Sequence, residues 1–401
     1  MTNQKGLSPF WLYQGAEHDY ERELNIEEAY NRLTRLHHHL GLQSKTKLSK
    51  KSSLVATCHL YDSAYKEVSF GAGKGEHCEL GALAESLEHY FVDKSTPPLI
   101  ESDQILQSIA PFDDWLLKSI PPDCRIPYFS LQALNSYDEI AIPAILIAPS
   151  SRNIDEIEKT AAGFLSKYST NSGTALGCTE NEALLHAINE AIERHALSMY
   201  YLSLCGLTSP PKLYQPSNSF LEETFAHDTE LLRRARKLEI YLTHDFYEVS
   251  FCIAVSRSKK EGSLSSIGSG SSINPSIAMY RAVTEQIQCE QLSGATEKQE
   301  DLSAEKMLTH STRLSALIHP CPTYAVPAFH PPHTDLSVRG QVKRTLINLE
   351  KHNKIAFYRT LYEHPNLATV VQVFIPGLER FHLIRSGIPV APQSALKGIR
   401  Q

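Results

Sequence analysis

The sequence predicts a mixed α/β (α+β) fold in which helices pack on mixed or antiparallel sheets. Three observations favour this class. Apolar or β-branched stretches run into Gly/Ser-rich turns, an amphipathic helical segment follows each turn, and this strand–Gly turn–helix plan occurs three times in 401 residues. We therefore expect three similar units, each with a helix packed on a sheet.

The first unit begins with two predicted strands. Residues 53–61 (SLVATCHLY) and 66–71 (KEVSFG) are rich in apolar and β-branched residues and flank a short polar turn at 62–64. The glycine-rich run 71–75 (GAGKG) follows, and residues 79–94 (ELGALAESLEHYFVDK) have the composition of a helix.

The second unit has a continuous apolar stretch upstream, residues 140–148 (IAIPAILIA), which is typical of a buried strand. Residues 173–177 (GTALG) then precede a long segment, 180–201, with the sequence ENEALLHAINEAIERHALSMYY. This segment is dominated by strong helix formers and predicts a helix.

The third unit has the pattern of a β-hairpin followed by a helix. Residues 249–258 (VSFCIAVSRS) and 263–270 (SLSSIGSG) are the two predicted strands. The helix is predicted over 275–292 (PSIAMYRAVTEQIQCEQL), with Pro275 in its first turn, where a missing N–H is tolerated.

Linkers between independent domains are not evident in the sequence. Residues 1–52 are predicted to form a helical lead-in, and residues 53–401 to form one intertwined domain that carries the function. The polar stretch 290–304 is predicted to be a surface connection. None of these regions has the long Gly/Ser-rich or Pro-rich composition of a flexible linker.

Composition predicts a soluble, cytoplasmic protein. With 42% hydrophobic and 21% charged residues the chain can bury a sizeable core, and its net charge of −6 argues against nucleic acid as a partner. The N-terminus lacks a signal-peptide pattern, and the most apolar stretch is too short to span a membrane. Eight scattered cysteines without a Cys-x-x-Cys pair suit reduced thiols.

Glutamates recur at a similar depth in the three helices. Glu88 and Glu190 each lie thirteen residues after a glycine, Gly75 and Gly177, and Glu285 lies fifteen residues after the last glycine of the third unit. Charged residues along a single helix usually mark a solvated face. If the three faces converge instead, the carboxylates repel each other unless a divalent cation bridges them, which suggests a Mg²⁺–nucleotide site.

The same three segments resemble the motifs of the YcaO family. The matching residues are Gly73-Lys74-Gly75 with Glu88; SGTALG (172–177) with Glu182-Ala183 and Glu190-Ala191-Ile192-Glu193-Arg194; Arg281-Ala282-Val283-Thr284-Glu285-Gln286-Ile287-Gln288; and VQVFIPGLE (371–379). These matches occur in the family's order and extend over about residues 70–380. The resemblance implies a YcaO-type fold and ATP binding without a Walker A loop, which this chain also lacks.

The resemblance also implies a set of site residues, although it assigns no catalytic residue. Mg²⁺ would be held by Glu88, Glu190 and Glu193. ATP would be bound and oriented, and its charge neutralised, by Lys74, Glu182, Arg194, Arg281, Glu285 and Gln288. Arginine suits this task because its planar group stays charged and can bond two phosphate oxygens.

Four positions depart from the family's pattern. Phe91 replaces the second glutamate of the first motif, Cys178 replaces an asparagine, Glu290 replaces an arginine, and His195 replaces an aspartate. The loss at Phe91 bears on the metal site, which then lacks one ligand or receives it from elsewhere in the chain.

The chemistry implied by the resemblance is ATP-dependent activation of an amide carbonyl in a peptide or small molecule, such as a purine. Sulfide, delivered with a partner protein, would give a thioamide, whereas a Cys, Ser or Thr side chain of a leader-bound precursor peptide would give an azoline. Because the last residues, GIPVAPQSALKGIRQ, lack a Pro-x-Pro-x-Pro run, thioamide formation is favoured. A non-catalytic, nucleotide-binding scaffold for a partner enzyme is the alternative, and a homodimer is expected.

Overall fold

The structure is a computed structural model that describes residues 21–150, 159–257, 264–292, 295–329 and 336–397. Its α-helices are α1 (Ile26–His39), α2 (Cys78–Asp93), α3 (Ser102–Ile109), α4 (Trp115–Lys118), α5 (Glu180–Leu204), α6 (Asn218–Thr224), α7 (Thr229–Ala235), α8 (Pro275–Leu292), α9 (Ala295–Thr309), α10 (Val338–Lys351) and α11 (Gln393–Leu396). No helix among the described residues is long and apolar enough to span a membrane.

The strands form three sheets. They are β1 (Gln43–Ser49), β2 (Ser52–Tyr61), β3 (Glu67–Lys74), β4 (Leu99–Glu101), β5 (Arg125–Ala133), β6 (Glu139–Pro143), β7 (Thr174–Gly177), β8 (Tyr214–Pro216), β9 (Leu238–Phe246), β10 (Val249–Ser256), β11 (Ile267–Ser272), β12 (Val326–Phe329), β13 (Phe357–His364) and β14 (Ala368–Phe374). The sheet orders are β1-β2-β3, β11-β10-β9-β8-β12 and β4-β5-β13-β14-β7, with β6 paired to β5. Pairing is antiparallel except between β8 and β12.

Each of the three predicted helices covers one sheet. Helix α2 packs on the three-stranded sheet, and α8 packs on β10 and β11 of the five-stranded sheet. Helix α5 lies on β7 and β14 of the third sheet and continues into the largest core, where Tyr200 and Tyr201 are buried. The fold class and the repeated strand–helix plan are therefore confirmed.

Several predicted boundaries differ from the structure. The lead-in contains α1, but residues 43–49 form the edge strand β1, because pairing with β2 satisfies the backbone of this polar, lysine-rich stretch. Only the first part of 140–148 is a strand, since β6 ends at Pro143 and a 3₁₀ turn follows. The stretch 290–304 is largely helical, as its helix-forming residues favour. The domain boundary at residue 52 stays a prediction.

The predicted glycine-rich turns are mostly strand residues. Gly71 and Gly73 lie in β3 and Gly268 and Gly270 in β11, where their missing side chains let the strand approach a helix backbone. A Cβ atom on Gly73 would lie 1.7 Å from the carbonyl oxygen of Cys78. The glycines therefore bring strand and helix together rather than forming a turn.

Gly73→Ala should destabilise the protein strongly. The clash involves the backbone of α2, which cannot move without displacing the helix, so we expect the free energy of unfolding to fall by about 3 kcal/mol or more. Gly81→Ala in the same unit is the control, because its Cβ would meet nothing closer than 3.5 Å. Urea denaturation should show this control as neutral or stabilised by about 0.5–1 kcal/mol; equal effects would contradict the packing argument.

Candidate functional site

An arginine on α5 joins the three helical units. The Arg194 guanidinium lies 3.8 Å (Nη2) from Glu190 Oε1, 3.6 Å (Nη1) from Glu193 Oε1 and 4.0 Å (Nη1) from Glu285 Oε1 on α8. The other oxygen of Glu285 pairs with Lys74 Nζ at the end of β3. Five of the nine predicted site residues thus form one ion network.

The charges of this network perturb one another. Burial opposes ionisation of Glu285, but Lys74 and Arg194 outweigh it and lower the pKa of this carboxyl group. Burial likewise opposes the charge of Lys74, but Glu285 and then Glu193 outweigh it and raise the pKa of the amine. At neutral pH Glu285 is therefore an anion held between two cations.

The carboxylates of α2 and α5 are less well compensated. Glu88 accepts a hydrogen bond from the Leu176 N–H at 2.7 Å, and Glu190 accepts one from the Gly173 N–H at 3.3 Å. Burial, together with the neighbouring charges of Glu85 and Glu190, raises the pKa of Glu88 well above its usual range. Burial also raises the pKa of Glu190 to about 6, because Glu193 and Glu85 offset part of the effect of Arg194.

Glu193 faces the third sheet-helix unit. Its Oε1 accepts a hydrogen bond of 2.7 Å from the hydroxyl of Ser269 on β11, and its side chain is only 9% exposed. One carboxylate of α5 thus contacts the five-stranded sheet, while Glu190, three residues earlier, contacts the loop before β7. The carboxylates of α5 span the gap between two sheets.

Two predicted ATP ligands, Glu182 and Arg281, contact the segment before α1 in the ligand-free protein. Glu182 accepts hydrogen bonds from the backbone N–H groups of Glu23 at 2.5 Å, Leu24 at 3.2 Å and Cys178 at 2.9 Å. Arg281 forms an ion pair of 2.6 Å with the buried carboxylate of Glu21 and donates to Ser271 O at 2.9 Å.

Glu21 has further partners inside the site. Its other oxygen accepts hydrogen bonds from the Ser272 hydroxyl and, at 3.3 Å, from the Asn189 amide. The guanidinium of Arg281 is therefore already paired with a carboxylate of the protein itself. The remaining predicted ligand, Gln288, is half-buried on α8, three residues after Glu285 and on the same side of the helix.

Phe91 is an aromatic packing residue in this structure. Its ring stacks on Tyr362 with centroids 4.6 Å apart. The carboxylate of Glu85, one turn before Glu88, is near enough to both Glu88 and Glu190 to raise their pKa values. Glu85 Oε2 accepts a hydrogen bond of 3.1 Å from the Ala72 N–H.

The donor set fits Mg²⁺ bound together with phosphate. Carboxylates whose pKa values are raised by burial and mutual repulsion are ligands that gain from a hard cation. In the part of the chain that the structure describes, no three acidic, histidine or cysteine side chains converge tightly enough to hold a metal alone. Mg²⁺ commonly uses few protein carboxylates and completes its shell with phosphate and water, so this arrangement agrees with a nucleotide-dependent site.

Two residues of the site escaped sequence reasoning. Glu85 could have been found, because it lies three residues before Glu88 and so shares its helix face. Glu21 could not, because it precedes α1 in an irregular segment and meets Arg281 only through a contact between residues 260 positions apart. Periodicity carries no signal for such a contact.

The fold and the site together define a protein in which three sheet-covering helices bring carboxylates and basic groups close together. The sequence model of the YcaO family, described as a cyclodehydratase that binds ATP and Mg²⁺, matches residues 71–379. The chain therefore belongs to the YcaO family. No curated protein matches it.

Solved structures show the same fold at low identity. A heterocyclase in complex with substrate and cofactor has a TM-score of 0.62 and 15% identity; the similarity covers 90% of this chain but only 53% of that one, about half its length. YcaO from Methanopyrus kandleri bound with AMPPCP and Mg²⁺ has a TM-score of 0.61 and 16% identity, with coverage of 94% and 97%. The E. coli microcin synthetase McbBCD complex gives 0.57 and 14%, with coverage of 84% and 88%.

Proposed function

We propose that this chain uses Mg²⁺-ATP to phosphorylate the oxygen of an amide or lactam-like carbonyl, which a nucleophile then attacks. One observation carries the proposal: Glu88 and Glu190, with raised pKa values, lie beside a network in which Arg194 and Lys74 share Glu285. Excess negative charge for a metal and adjacent cations for phosphate are the two requirements of phosphoryl transfer.

Each residue then has a defined task. Glu88, Glu190 and Glu193 would hold Mg²⁺ jointly with the phosphates, and Glu85 would add the carboxylate that position 91 lacks. Lys74 and Arg194 neutralise phosphate charge, with Glu285 keeping both in position. Arg281, Glu182 and Gln288 orient the nucleotide. When bound, Mg²⁺ neutralises charge that develops on the phosphate oxygens.

The reaction balances with a sulfur nucleophile. The amide oxygen attacks the γ-phosphorus of ATP and ADP leaves. Sulfide then adds to the carbon of the activated amide, and the carbon–oxygen bond breaks. Phosphate departs with the former carbonyl oxygen, so that amide, ATP and hydrosulfide give thioamide, ADP and phosphate.

Sulfide is the nucleophile we favour over a peptide side chain. The described C-terminal stretch is fixed in place: the Gln393 N–H donates to Glu379 Oε2 at 2.8 Å and its amide donates to Leu378 O at 2.8 Å. The side-chain oxygen of Gln393 accepts a hydrogen bond from the Trp115 N–H at 3.0 Å. These contacts make this stretch part of the core, and the choice of nucleophile is decided by the product that mass spectrometry detects. Azoline formation is the second candidate, supported by the similarity to the heterocyclase.

A partner protein is part of this proposal. The similarity to the E. coli microcin synthetase McbBCD complex supports a chain that works in an assembly, with a sulfur-delivering or leader-binding partner. The homodimer and the cytoplasmic location remain predictions.

The test is ADP release with Mg²⁺-ATP, sulfide and a panel of peptide amides and purines, followed by mass spectrometry. Exchange of oxygen for sulfur supports the sulfur branch, and loss of one water from a Cys, Ser or Thr peptide supports the azoline branch. Nucleotide binding without ADP release on any acceptor, with or without candidate partners, would instead support a scaffold.

Binding of Mg²⁺-ATP should weaken as the pH falls from about 8 to about 5.5. Because burial raises the pKa of Glu190 to about 6 and that of Glu88 well above its usual range, metal binding must displace protons from both groups at acidic pH. The sign for the free protein is opposite: groups with raised folded pKa values add stability at low pH, and this contribution is lost as the pH rises through about 6.

Calorimetric titration at several pH values measures this effect. Glu190→Gln is the control for the titration of ATP itself. With this variant the phosphates of ATP still titrate, but residue 190 no longer does. A pH dependence of equal slope in wild type and variant would show that Glu190 does not hold the metal.

A further inference from the structure

An arginine that has no acidic partner among the described residues lies on the sheet that carries β7. Arg359 on β13 donates from Nε to Gln372 Oε1 at 2.9 Å, and its guanidinium carbon lies 3.4 Å from the centroid of the Phe129 ring. Its Nη2 atom is buried and has no hydrogen-bond partner among the described residues. Burial lowers the pKa of Arg359 to about 9, and no described carboxylate offsets this. Buried charges are normally paired, so this arrangement has an uncompensated cost.

A second hydrogen-bond donor without a partner among the described residues lies on the same face of the strand. In the antiparallel register, Arg359 is opposite Gln372 and Tyr362 is opposite Val370, which places both side chains on one face of the sheet. The Tyr362 hydroxyl is also buried with no hydrogen-bond partner in the described part of the chain. Two donors therefore share one face, with Phe129 and Phe91 as aromatic neighbours.

A row of polar contacts connects this face to the metal carboxylates. The amide oxygen of Gln372 accepts the hydrogen bond from Arg359, and its amide nitrogen donates to the Thr174 hydroxyl at 2.8 Å. Thr174 directly follows Gly173, whose N–H bonds Glu190. Arg359, Phe129 and Tyr362 are each only half-buried, so part of the face they form reaches solvent.

We propose that Arg359 and Tyr362 form an oxyanion site that binds a carboxylate of the substrate, an inference that rests on the function proposed above. In the proposed function, the phosphates of ATP are bound by Lys74, Arg194 and Arg281, which lie on other elements. A guanidinium stacked on Phe129 presents its N–H edge in one plane, which matches a planar carboxylate. The substrate class is then an amide with a nearby carboxylate, such as a peptide C-terminus or an N-acyl amino acid.

The substitution at Phe91 agrees with this assignment. A glutamate at that position would place a negative charge beside the Tyr362 ring and repel an anionic substrate. The aromatic ring removes that charge and adds an apolar wall. The wall beside Tyr362 is therefore uncharged and apolar.

Stability of the free protein gives a test that needs no ligand. If Arg359 is kept for binding, Arg359→Met removes an unpaired buried charge and should raise Tm by about 2 °C or more. Arg380→Met is the matched control, because Arg380 is also half-buried but donates to Leu146 O at 2.7 Å and Tyr168 O at 2.8 Å. The control should lower Tm. A comparable loss of stability in both variants would make Arg359 a structural residue and overturn the proposal.

Ligand binding is measured with N-acetylglycine, N-acetylglycinamide and inorganic phosphate in the presence of Mg²⁺-AMPPCP. Wild type should bind the acid about tenfold or more tightly than the amide. Arg359→Met should lose this preference, and Tyr362→Phe should reduce it by roughly 3- to 10-fold. The affinity of both variants for Mg²⁺-ATP should stay at the wild-type value.

Three results would overturn the assignment: no preference for the acid in wild type, a preference that survives in Arg359→Met, or inorganic phosphate as the only ligand that depends on Arg359. The proposed function fails separately, through absence of Mg²⁺-dependent ATP binding in wild type. A carboxylate preference that persists in that case would retain the oxyanion site without the ATP chemistry.

Discussion

Replacing Glu190 with glutamine should weaken Mg²⁺-ATP binding by roughly 10- to 150-fold, the equivalent of about 1.5–3 kcal/mol for loss of a charged ligand. The amide keeps the size of the side chain and can still accept the Gly173 N–H, but it no longer supplies the negative charge for Mg²⁺. The same change removes one of the carboxylates near Arg194, so any residual binding should depend less on Mg²⁺.

Calorimetric titration of ATP with and without Mg²⁺ measures this effect. Glu180→Gln is the matched control, because Glu180 lies on the first turn of the same helix and is exposed. Wild-type affinity in the control and loss in Glu190→Gln would support the metal site. Equal affinity in both variants would mean that the carboxylates of α5 do not bind the metal, and the proposed function would lose its main support.

Replacing Glu21 with glutamine should tighten Mg²⁺-ATP binding by about tenfold, or about 1.4 kcal/mol. In the free protein the Glu21 carboxylate pairs with Arg281 at 2.6 Å, so a phosphate must displace a buried anion before it can reach the guanidinium. Removing the charge while keeping the shape removes this competition.

Glu23→Gln provides the control for this experiment. Glu23 belongs to the same segment, but its carboxylate contacts the Thr179 hydroxyl and the Asn181 amide at an exposed position. We expect no change in ATP affinity for this variant. Weaker binding in Glu21→Gln, with an unchanged thermal unfolding curve, would show that Glu21 holds Arg281 in its binding position and does not compete with phosphate.

Much of the fold could be predicted because it depends on local patterns. The helix predicted over 275–292 matches α8 residue for residue, and the strands of the first and third units were found with small shifts at their ends. Pattern reasoning failed where pairing decided the outcome. The lysine-rich stretch 43–49 is a strand only because β2 offers it a backbone partner.

The candidate site shows the same division. The spacing of glutamates suggested that the three helix faces converge, and the ion pairs of Arg194 with Glu190, Glu193 and Glu285 join two of these helices, α5 and α8. Spacing could not show that Glu182 and Arg281 bind the segment before α1, because that contact joins irregular backbone to a helix.

The sequence by itself determined the fold class and the helix faces that carry acidic and basic groups, since these depend on residue type and period, and its motifs carried the resemblance to the YcaO family. Only the tertiary structure decided which charges are compensated. Glu285 is paired with two cations, Glu88 and Glu190 have raised pKa values, and Arg359 has no carboxylate beside it in the part of the chain that the structure describes. Charge compensation depends on burial and on the distances between side chains that are far apart in the sequence. Neither can be read from the order of the residues.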